Sequence, residues 1–210
     1  MARTRIKICG IRTDEHALAA ADAGADAVGF IFVRSSVRFI DPDEAAAIMS
    51  ILPPMVASVG VFMNMSVESF SDIEERCPTT HTQLHGEESD ELIAACAPVI
   101  KGLRYNADTI ARDLERFDQD DNVEAILIDG PSPGDGVPFL WTDLVPHVET
   151  LSKPFFLAGG LTPQNVGEAI RTLRPYGVDV SSGVEQERGV KDIDLIEAFC
   201  DAVREADRSA

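Results

Sequence analysis

The sequence has little lysine and a large surplus of acidic residues. Only four of its 18 basic residues are lysine, against 36 acidic residues, and the formal net charge is −18. This charge repels nucleic acids and anionic lipid surfaces, so neither is an expected partner. The acidic residues are spread along the chain, which predicts a solvated acidic surface. Adaptation to high salt, which screens self-repulsion, is one explanation, and acidity that only serves solubility is the other.

The sequence also has few cysteines, and their spacing excludes the usual metal and disulfide patterns. Cys9, Cys77, Cys96 and Cys200 form no Cys-x-x-Cys pair and lie in no Cys/His cluster. No metal site and no disulfide framework are therefore predicted. Cys77, Cys96 and Cys200 are expected to be small buried side chains.

Long apolar runs are missing as well. No run approaches the roughly 18 residues that span a bilayer. The N-terminal MARTRIKIC has too short an apolar core for a signal peptide. The expectation is a soluble cytoplasmic protein.

What the sequence does have is a regular alternation of strand and helix patterns. The spacing between successive strand ends is 19 to 30 residues, and the strands end near Cys9, Phe32, Phe62, Leu84, Leu103, Ile128, Leu157 and Val180. Almost wholly apolar strands of this kind are typical of parallel sheets covered on both faces. Eight such units predict an α/β fold, a single (β/α)8 barrel over residues 1–210. A doubly wound open sheet is the alternative, because periodicity does not show closure.

Helix boundaries are indicated by capping residues. Gly24 is expected to close the first helix. The expected N-caps are Thr13, Asp41, Ser66, Ser89 and Thr162. Asp129–Gly130 resembles a hairpin turn, but the proline-rich PSPGDGVP that follows favours a long loop between strand six and its helix.

Chemistry in this fold is placed at the carboxyl ends of the strands. The polar residues at or after those ends include a thiol, a lysine, an arginine, a histidine and an aspartate, namely Cys9, Lys7, Arg38, His85 and Asp129. Each also has an ordinary structural explanation. Cys9 and His85 can be core side chains, Lys7 can extend to solvent, and Asp129 can cap a loop. For Arg38 the ordinary explanation is a surface ion pair with Asp41 or Asp43.

Two small-residue turns after strands seven and eight predict a phosphate site. Gly159 and Gly160 allow backbone N–H groups to approach an anion, and Thr162-Pro163 then begins a helix, whose N-terminus favours anions. Ser182 and Gly183 offer further donors one strand later. Loops in these two positions recur as phosphate sites in (β/α)8 barrels. The alternative is that the glycines only make tight turns.

Taken together, the motifs KICGIR, DAVGFIF, SSVRFIDP, VGVF, QLHGEE, LIDG, LAGGLTPQNV and VDVSSGVE resemble those of the phosphoribosylanthranilate isomerases of tryptophan biosynthesis. They occur in the same order and cover essentially the whole chain. The resemblance implies a single barrel without a cofactor. It implies an Amadori rearrangement of N-(5-phosphoribosyl)anthranilate to 1-(2-carboxyphenylamino)-1-deoxyribulose 5-phosphate. The expected partner is this phosphosugar, and the chain is expected to be a monomer or a homodimer.

The resemblance also assigns residues to roles. Cys9 is the implied general base and Asp129 the implied general acid. Arg38 is expected to meet the anthranilate carboxylate, and Lys7, His85 and Asp179 are further expected substrate contacts. The phosphate turns are Gly159–Gly160 and Ser182–Gly183. The chain departs from the family pattern at Arg12, where threonine is usual, and in PSPGDGVPFLW, which is shorter than usual, with Leu140 in place of a common aspartate.

These residue types suit the reaction. Opening the furanose requires a proton on the ring oxygen, and the resulting cationic Schiff base acidifies the C2 proton, which a base must remove. An acid and a base of opposite protonation state are needed at one pH. Asp129 must therefore hold a proton or share one with the substrate. Lys7 is expected to favour the Cys9 thiolate, and Gly10 to leave room for the sugar.

Two other functions remain open. Another phosphosugar isomerase or an aldolase could use the same barrel, although an aldolase needs a Schiff-base lysine at a strand end. A phospholigand-binding barrel without turnover is the non-enzymatic alternative, but binding alone requires neither Cys9 nor Asp129.

Overall fold

The computed structural model of the protein describes residues 3–130 and 140–209. Eight parallel strands form a closed barrel in the order of the chain. They are β1 (Arg5–Cys9), β2 (Ala27–Ile31), β3 (Ala57–Phe62), β4 (His81–Leu84), β5 (Val99–Arg104), β6 (Val123–Asp129), β7 (Phe155–Leu157) and β8 (Gly177–Val180). The pairing of β1 with β8 closes the sheet. The predicted barrel is thus confirmed, and the open sheet is excluded.

Helices alternate with the strands. They are α1 (Asp14–Asp22), α2 (Pro42–Ile51), α3 (Val67–Arg76), α4 (Asp90–Cys96), α5 (Ile110–Asp118), α6 (Val145–Val148), α7 (Val166–Leu173) and α8 (Ile193–Arg208). α6 is a single turn after the 3₁₀ turn Trp141–Asp143. The sequence WTDLVPHVETL predicts a sixth helix over residues 141–151, and the observed helix is shorter, with Pro146 in the middle of that segment. The predicted long loop between β6 and α6 falls mainly on residues 131–139, which lie outside the described residues.

Four of the five predicted N-caps are confirmed. The side chains of Thr13, Asp41, Ser66 and Ser89 each accept a hydrogen bond from a backbone N–H in the first turn of the helix. The prediction at Thr162 is wrong, since α7 begins at Val166. The reason is Asn165, whose Oδ1 accepts from the Thr162 N–H at 2.8 Å and holds the preceding residues in a turn.

Alternation along the strands separates two apolar cores. The larger core fills the space between sheet and helices and contains Ile6, Ile8 and Phe30. The smaller core lies inside the barrel and consists of Val59, Ile100, Ala125, Leu127 and Ala158. Because side chains alternate across a strand, residues two positions beyond these inner side chains, such as Asp129 after Leu127, also face the barrel axis.

One element was not predicted. A small antiparallel hairpin, β9 (Glu185–Glu187) and β10 (Val190–Lys191), lies between β8 and α8. Its turn contains Gly189 with φ +88°, a conformation in which a side chain would be strained. The hairpin places Lys191 opposite Glu185.

Within the two described segments, all four cysteines are free and buried, as expected of Cys77, Cys96 and Cys200. The described residues contain no cluster of His, Cys, Asp and Glu that could hold a metal ion. None of the helices described is both long and apolar enough to cross a bilayer.

Candidate active site

A cavity of about 300 Å³ opens at the carboxyl ends of the strands. Five of the predicted site residues line it together: Cys9, Arg38, His85, Asp129 and Asp179. Gln83, Ser181 and the Ser35–Val37 segment complete much of the lining. The structure therefore brings together residues from β1, β4, β6, β8 and the loop after β2.

Cys9 ends β1 and faces Gly29 of β2, its partner in the register. A Cβ atom on Gly29 would approach the Cys9 Sγ to 2.8 Å. The thiol can occupy this position only because its neighbour is glycine. Gly10, which follows, has φ +81°, and a Cβ there would lie 2.9 Å from the Arg38 Cδ and 3.2 Å from the Ser181 Oγ. Gly10 thus leaves room for Arg38 and Ser181, and that it also leaves room for the sugar stays a prediction.

Burial of Cys9 opposes the predicted effect of Lys7 on its thiol. Burial raises the pKa of the thiol, and this effect outweighs the positive charges of Lys7 and Lys191, which lower it. The sequence suggested Lys7 as a source of thiolate, but it did not show how completely the thiol is enclosed. Burial therefore disfavours the Cys9 thiolate, and the two lysines limit the rise of the thiol pKa.

Lys7 and Asp179 form a buried ion pair inside the barrel. The Lys7 Nζ lies 2.8 Å from the Asp179 Oδ1, and both side chains are at most 9% exposed. The two residues are register partners on β1 and β8. Burial disfavours the ammonium, yet the Asp179 carboxylate and Cys9 outweigh burial and raise the pKa of Lys7. Lys7 therefore does not extend to solvent and remains charged below Cys9.

Arg38 is buried and bound by Glu185, a residue that was not predicted. The Arg38 Nε donates to Oε1 of Glu185 at 2.7 Å and Nη2 donates to Oε2 at 2.8 Å. Lys191 lies 2.9 Å from the same carboxylate. The surface pairing expected from the sequence is wrong, because Asp41 and Asp43 pair with Arg76.

Glu185 is held in its charged form by these neighbours. Burial alone would raise its pKa, but the Arg38 hydrogen bond, the Lys191 charge and the Gly189 N–H outweigh burial and lower the pKa to about 2. The Lys191 Nζ also donates to the Ser181 carbonyl at 2.8 Å, and the Ser181 Oγ donates to the Cys9 carbonyl at 3.0 Å. A chain of contacts thus connects Arg38 to the backbone of Cys9.

Asp129 is held from two directions. Its Oδ1 accepts from the Gly130 N–H at 2.8 Å, and its Oδ2 lies 3.1 Å from the His85 Nε2. The other ring nitrogen of His85 lies 2.9 Å from the Gln83 Nε2. An amide nitrogen only donates, so in this amide orientation Gln83 donates to Nδ1 of His85, and Nε2 of His85 donates to the Asp129 carboxyl group.

The same chain of side chains accommodates a protonated Asp129. The Gln83 Oε1 is buried and has no hydrogen-bond partner in the described parts of the chain. Rotation of the amide by half a turn brings this oxygen to the His85 Nδ1, which then carries the ring proton. The Nε2 atom then accepts a hydrogen bond from the O–H of a protonated Asp129. His85 is thus placed against the predicted acid.

The two predicted phosphate turns lie against each other. A Cβ on Gly183 would lie 1.8 Å from the Leu161 carbonyl oxygen, so only glycine permits the contact. Gly159 and Gly160 have φ of +81° and +69°. In the described residues the Gly160 N–H donates to no protein acceptor, whereas the Thr162 N–H is taken by Asn165. These turns do not line the cavity that contains Cys9.

Sequence reasoning missed Glu185, Lys191 and Asn165. A signal existed for each: Glu185 ends the SSGVE motif, Lys191 is one of only four lysines, and Asn165 follows the AGGLTP turn. None of these signals is specific: Glu185 and Lys191 depend on an unpredicted hairpin and on the distant Arg38, and an asparagine three residues after a threonine is common in turns.

Comparison with known proteins identifies the family. The model of the N-(5'-phosphoribosyl)anthranilate isomerase family matches residues 6–202. The curated enzyme of that name from Pseudomonas putida W619 is 46% identical over 98% of this chain and 100% of its own length. The curated enzyme from Hahella chejuensis is 44% identical over 94% of this chain and 92% of its own.

Solved structures agree with the sequence relatives. Phosphoribosyl anthranilate isomerase from Thermotoga maritima superposes with a TM-score of 0.88 at 40% identity, covering 96% of this chain and 99% of that one. The Thermus thermophilus protein gives the same TM-score and coverage at 35% identity. The chain therefore belongs to the N-(5'-phosphoribosyl)anthranilate isomerase family.

Proposed function

We propose that the protein catalyses the Amadori rearrangement of N-(5-phosphoribosyl)anthranilate in tryptophan biosynthesis, with Asp129 as general acid and Cys9 as general base. The observation that carries this assignment is a single cavity lined by a thiol from β1 and a carboxylate from β6. A solved relative, 40% identical, is in complex with reduced 1-(o-carboxyphenylamino)-1-deoxyribulose 5-phosphate. That ligand is a reduced form of the product proposed here.

Asp129 acts first. Its proton passes to the furanose ring oxygen while the C1–O bond breaks, and the nitrogen lone pair forms the C1=N bond of a cationic Schiff base. His85 fixes the carboxyl group and, through Gln83, tolerates both of its protonation states. Positioned acid catalysis of this kind contributes typically about 10²–10⁴-fold.

Cys9 acts second. Its thiolate takes the C2 proton, the C–H electrons form the C1–C2 double bond, and the iminium nitrogen is neutralised. The resulting enol becomes the ketone by passing its hydroxyl proton to the Asp129 carboxylate and taking the proton held by Cys9 at C1, so atoms and charge balance and both residues return to their starting states. Lys7 and Lys191 favour the thiolate against the cost of burial.

The remaining site residues bind the substrate. Arg38 faces the anthranilate carboxylate, since a guanidinium binds carboxylates in a bidentate manner. The phosphate binds to backbone N–H groups of Gly159–Gly160 and Ser182–Gly183. Lys7 and Asp179 act through Cys9 and line the sugar position. No cofactor takes part in these steps.

An aldolase mechanism is disfavoured by the lysines. Lys101 of β5 is directed away from the barrel axis and pairs with Glu88 at 2.8 Å. Its Nζ also lies 5.6 Å from the Phe117 ring of α5. Lys7 is paired with Asp179, and a Schiff base requires a neutral amine.

A turnover assay tests the proposal. Purified protein is incubated with N-(5-phosphoribosyl)anthranilate, and the ketose product is quantified by mass spectrometry after chromatography. Enzymatic formation of 1-(2-carboxyphenylamino)-1-deoxyribulose 5-phosphate supports the proposal. A chain that binds the substrate without turning it over is a phospholigand-binding protein instead, and turnover of another phosphosugar alone would support the second enzymatic function.

The setting of the reaction belongs to the same proposal. The enzyme works in the cytoplasm on a small phosphosugar, as a monomer or a homodimer. Mutually generated monomers of the dimeric Thermotoga maritima relative have a solved structure, so both states are represented among related folds. The acidic surface is an adaptation to high salt.

A further inference from the structure

The hairpin between β8 and α8 presents a buried carboxylate to Arg38. Glu185 lies on β9, and its register partner Lys191 lies on β10. The Glu185 side chain is 4% exposed, that of Arg38 is 6% and that of Lys191 is 1%. Three charged groups are thus enclosed together at one end of the cavity, which is costly unless each is paired.

The geometry of the pair fixes the plane of the guanidinium. Glu185 binds the edge formed by Nε and Nη2, with both hydrogen bonds shorter than 2.9 Å. A guanidinium has a second bidentate edge, formed by its two Nη atoms, which points away from the first. Because Glu185 holds the Nε/Nη2 edge, the hairpin sets the direction in which the Nη/Nη edge of the guanidinium points.

The carboxylate is itself immobilised. Its Oε2 accepts from the Gly189 N–H at 3.1 Å, and its Oε1 lies 2.9 Å from the Lys191 Nζ. The hairpin turn also packs on the Arg38 loop, since a Cβ on Gly189 would lie 3.1 Å from the Val37 carbonyl oxygen.

We infer that Glu185, anchored by Lys191, is a positioning residue that orients Arg38 toward the aromatic carboxylate and so sets the preference for a carboxylate-bearing substrate. This inference rests on the proposed function. Glu185 does not touch the reacting atoms. Glu185 holds the Arg38 side chain in place before the substrate binds. The entropic cost of ordering Arg38 on binding is then smaller, which raises affinity.

The experiment uses Glu185→Gln, which keeps the shape but gives Arg38 one acceptor and one donor where it had two acceptors. The matched control is Glu187→Gln, an exposed position on the same strand. Two stable ligands are compared by competitive inhibition or calorimetry: reduced 1-(o-carboxyphenylamino)-1-deoxyribulose 5-phosphate and the same compound without the carboxylate. KM and kcat for N-(5-phosphoribosyl)anthranilate are measured in parallel.

Glu185→Gln should weaken binding of the carboxylated ligand at least tenfold and that of the decarboxylated ligand less than twofold. KM should rise while kcat stays within about threefold of wild type, and Glu187→Gln should change neither. Equal losses for both ligands, or none for the carboxylated one, would overturn the inference.

Two further results keep the test decisive. Glu185→Asp retains the charge but shortens the side chain, and the same ligand preference should weaken by an intermediate factor. If Glu185→Gln fails to fold, Glu185→Asp takes its place in the experiment. Equal losses for both ligands, or no loss for the carboxylated one, would again overturn the inference. A wild type that binds both ligands but does not convert the substrate would overturn the proposed function while leaving the ligand comparison valid.

Discussion

The two sides of the cavity stabilise charge in different ways. On the β1–β8 side, consisting of Lys7, Cys9 and Asp179, a thiol lies beside a buried ion pair. On the β4–β6 side, consisting of Gln83, His85 and Asp129, an amide and an imidazole form a hydrogen-bonded chain to one carboxylate. On the β1–β8 side the charges of the ion pair are fixed. On the β4–β6 side the side chains can exchange hydrogen-bond donor and acceptor roles. A base that is hard to ionise needs fixed charge, whereas an acid that must give up and regain a proton needs reversible partners.

The largest effect is expected from removing the proposed acid or the proposed base. Cys9→Ala and Asp129→Asn should each lower kcat by about 10²–10⁴-fold, with binding of the reduced product analogue nearly unchanged. The losses should not add in the double variant, because one blocked step leaves little for the other to remove. Steady-state kinetics of the three variants test this. If Cys9→Ala turns over at a near wild-type rate, Cys9 is a core residue and the base must be sought at His85.

Breaking the ion pair of the β1–β8 side should have the next largest effect. Lys7→Met leaves Asp179 buried and unpaired, which should cost about 3–5 kcal/mol in the free energy of unfolding. It also removes the main opposing effect on the pKa of Cys9, which should rise further. Because the thiolate fraction at a fixed pH falls as the pKa rises, alkylation of Cys9 by iodoacetamide at pH 8 should slow.

Urea unfolding and peptide mass spectrometry give the two readouts for Lys7→Met. Lys153→Met, on the segment before β7, is the matched control and should change neither. Unchanged alkylation of Cys9 in Lys7→Met would show that the ion pair serves folding alone.

On the β4–β6 side the expected effect is smaller. His85→Asn removes the hydrogen bond to Asp129, and hydrogen bonds to charged groups are worth about 1.5–3 kcal/mol. We expect kcat to fall by roughly 10–100-fold, with little change in stability, since His85 lies at the cavity. Steady-state kinetics and urea unfolding of the variant test this prediction. A kcat equal to that of wild type would reduce His85 to a packing role.

The smallest effect concerns the outer surface, where charges are accessible to salt. Three of the four lysines, Lys7, Lys101 and Lys191, are each 2% exposed, so the acidic surface has few lysines to balance it. Raising KCl to molar concentration should screen the surface repulsion and raise Tm, with little effect on the buried pairs. Thermal melts across KCl concentrations test this. A flat or falling Tm would mean that the acidity serves solubility alone.

The sequence allowed the strand ends to be predicted to within a residue because eight apolar runs recur at near-regular spacing. Once the ends were known, the barrel brought Cys9, Arg38, His85, Asp129 and Asp179 to one cavity. The Arg38–Glu185 pair was not predictable, because strands of three and two residues have no detectable period. Nor was the direction of the Cys9 pKa, which depends on how far burial outweighs the neighbouring lysines.

The start of α7 was missed for a related reason. Thr162-Pro163 has the local composition of a helix start, but one hydrogen bond from Thr162 to Asn165 delays the helix to Val166. This local side-chain contact overrides the helix-start preference of Thr162-Pro163, because the asparagine side chain competes for a backbone N–H.

The most direct test of the division of labour between the two sides is to trap the Schiff base. Substrate is incubated with each variant and cyanoborohydride, and the reduced open-chain amine is quantified by mass spectrometry against an enzyme-free control. Cys9→Ala should accumulate trapped product, because Asp129 still opens the ring and nothing removes the C2 proton. Asp129→Asn should give no more than the control. Equal trapping by the two variants, or more with Asp129→Asn, would contradict the assignment of acid and base.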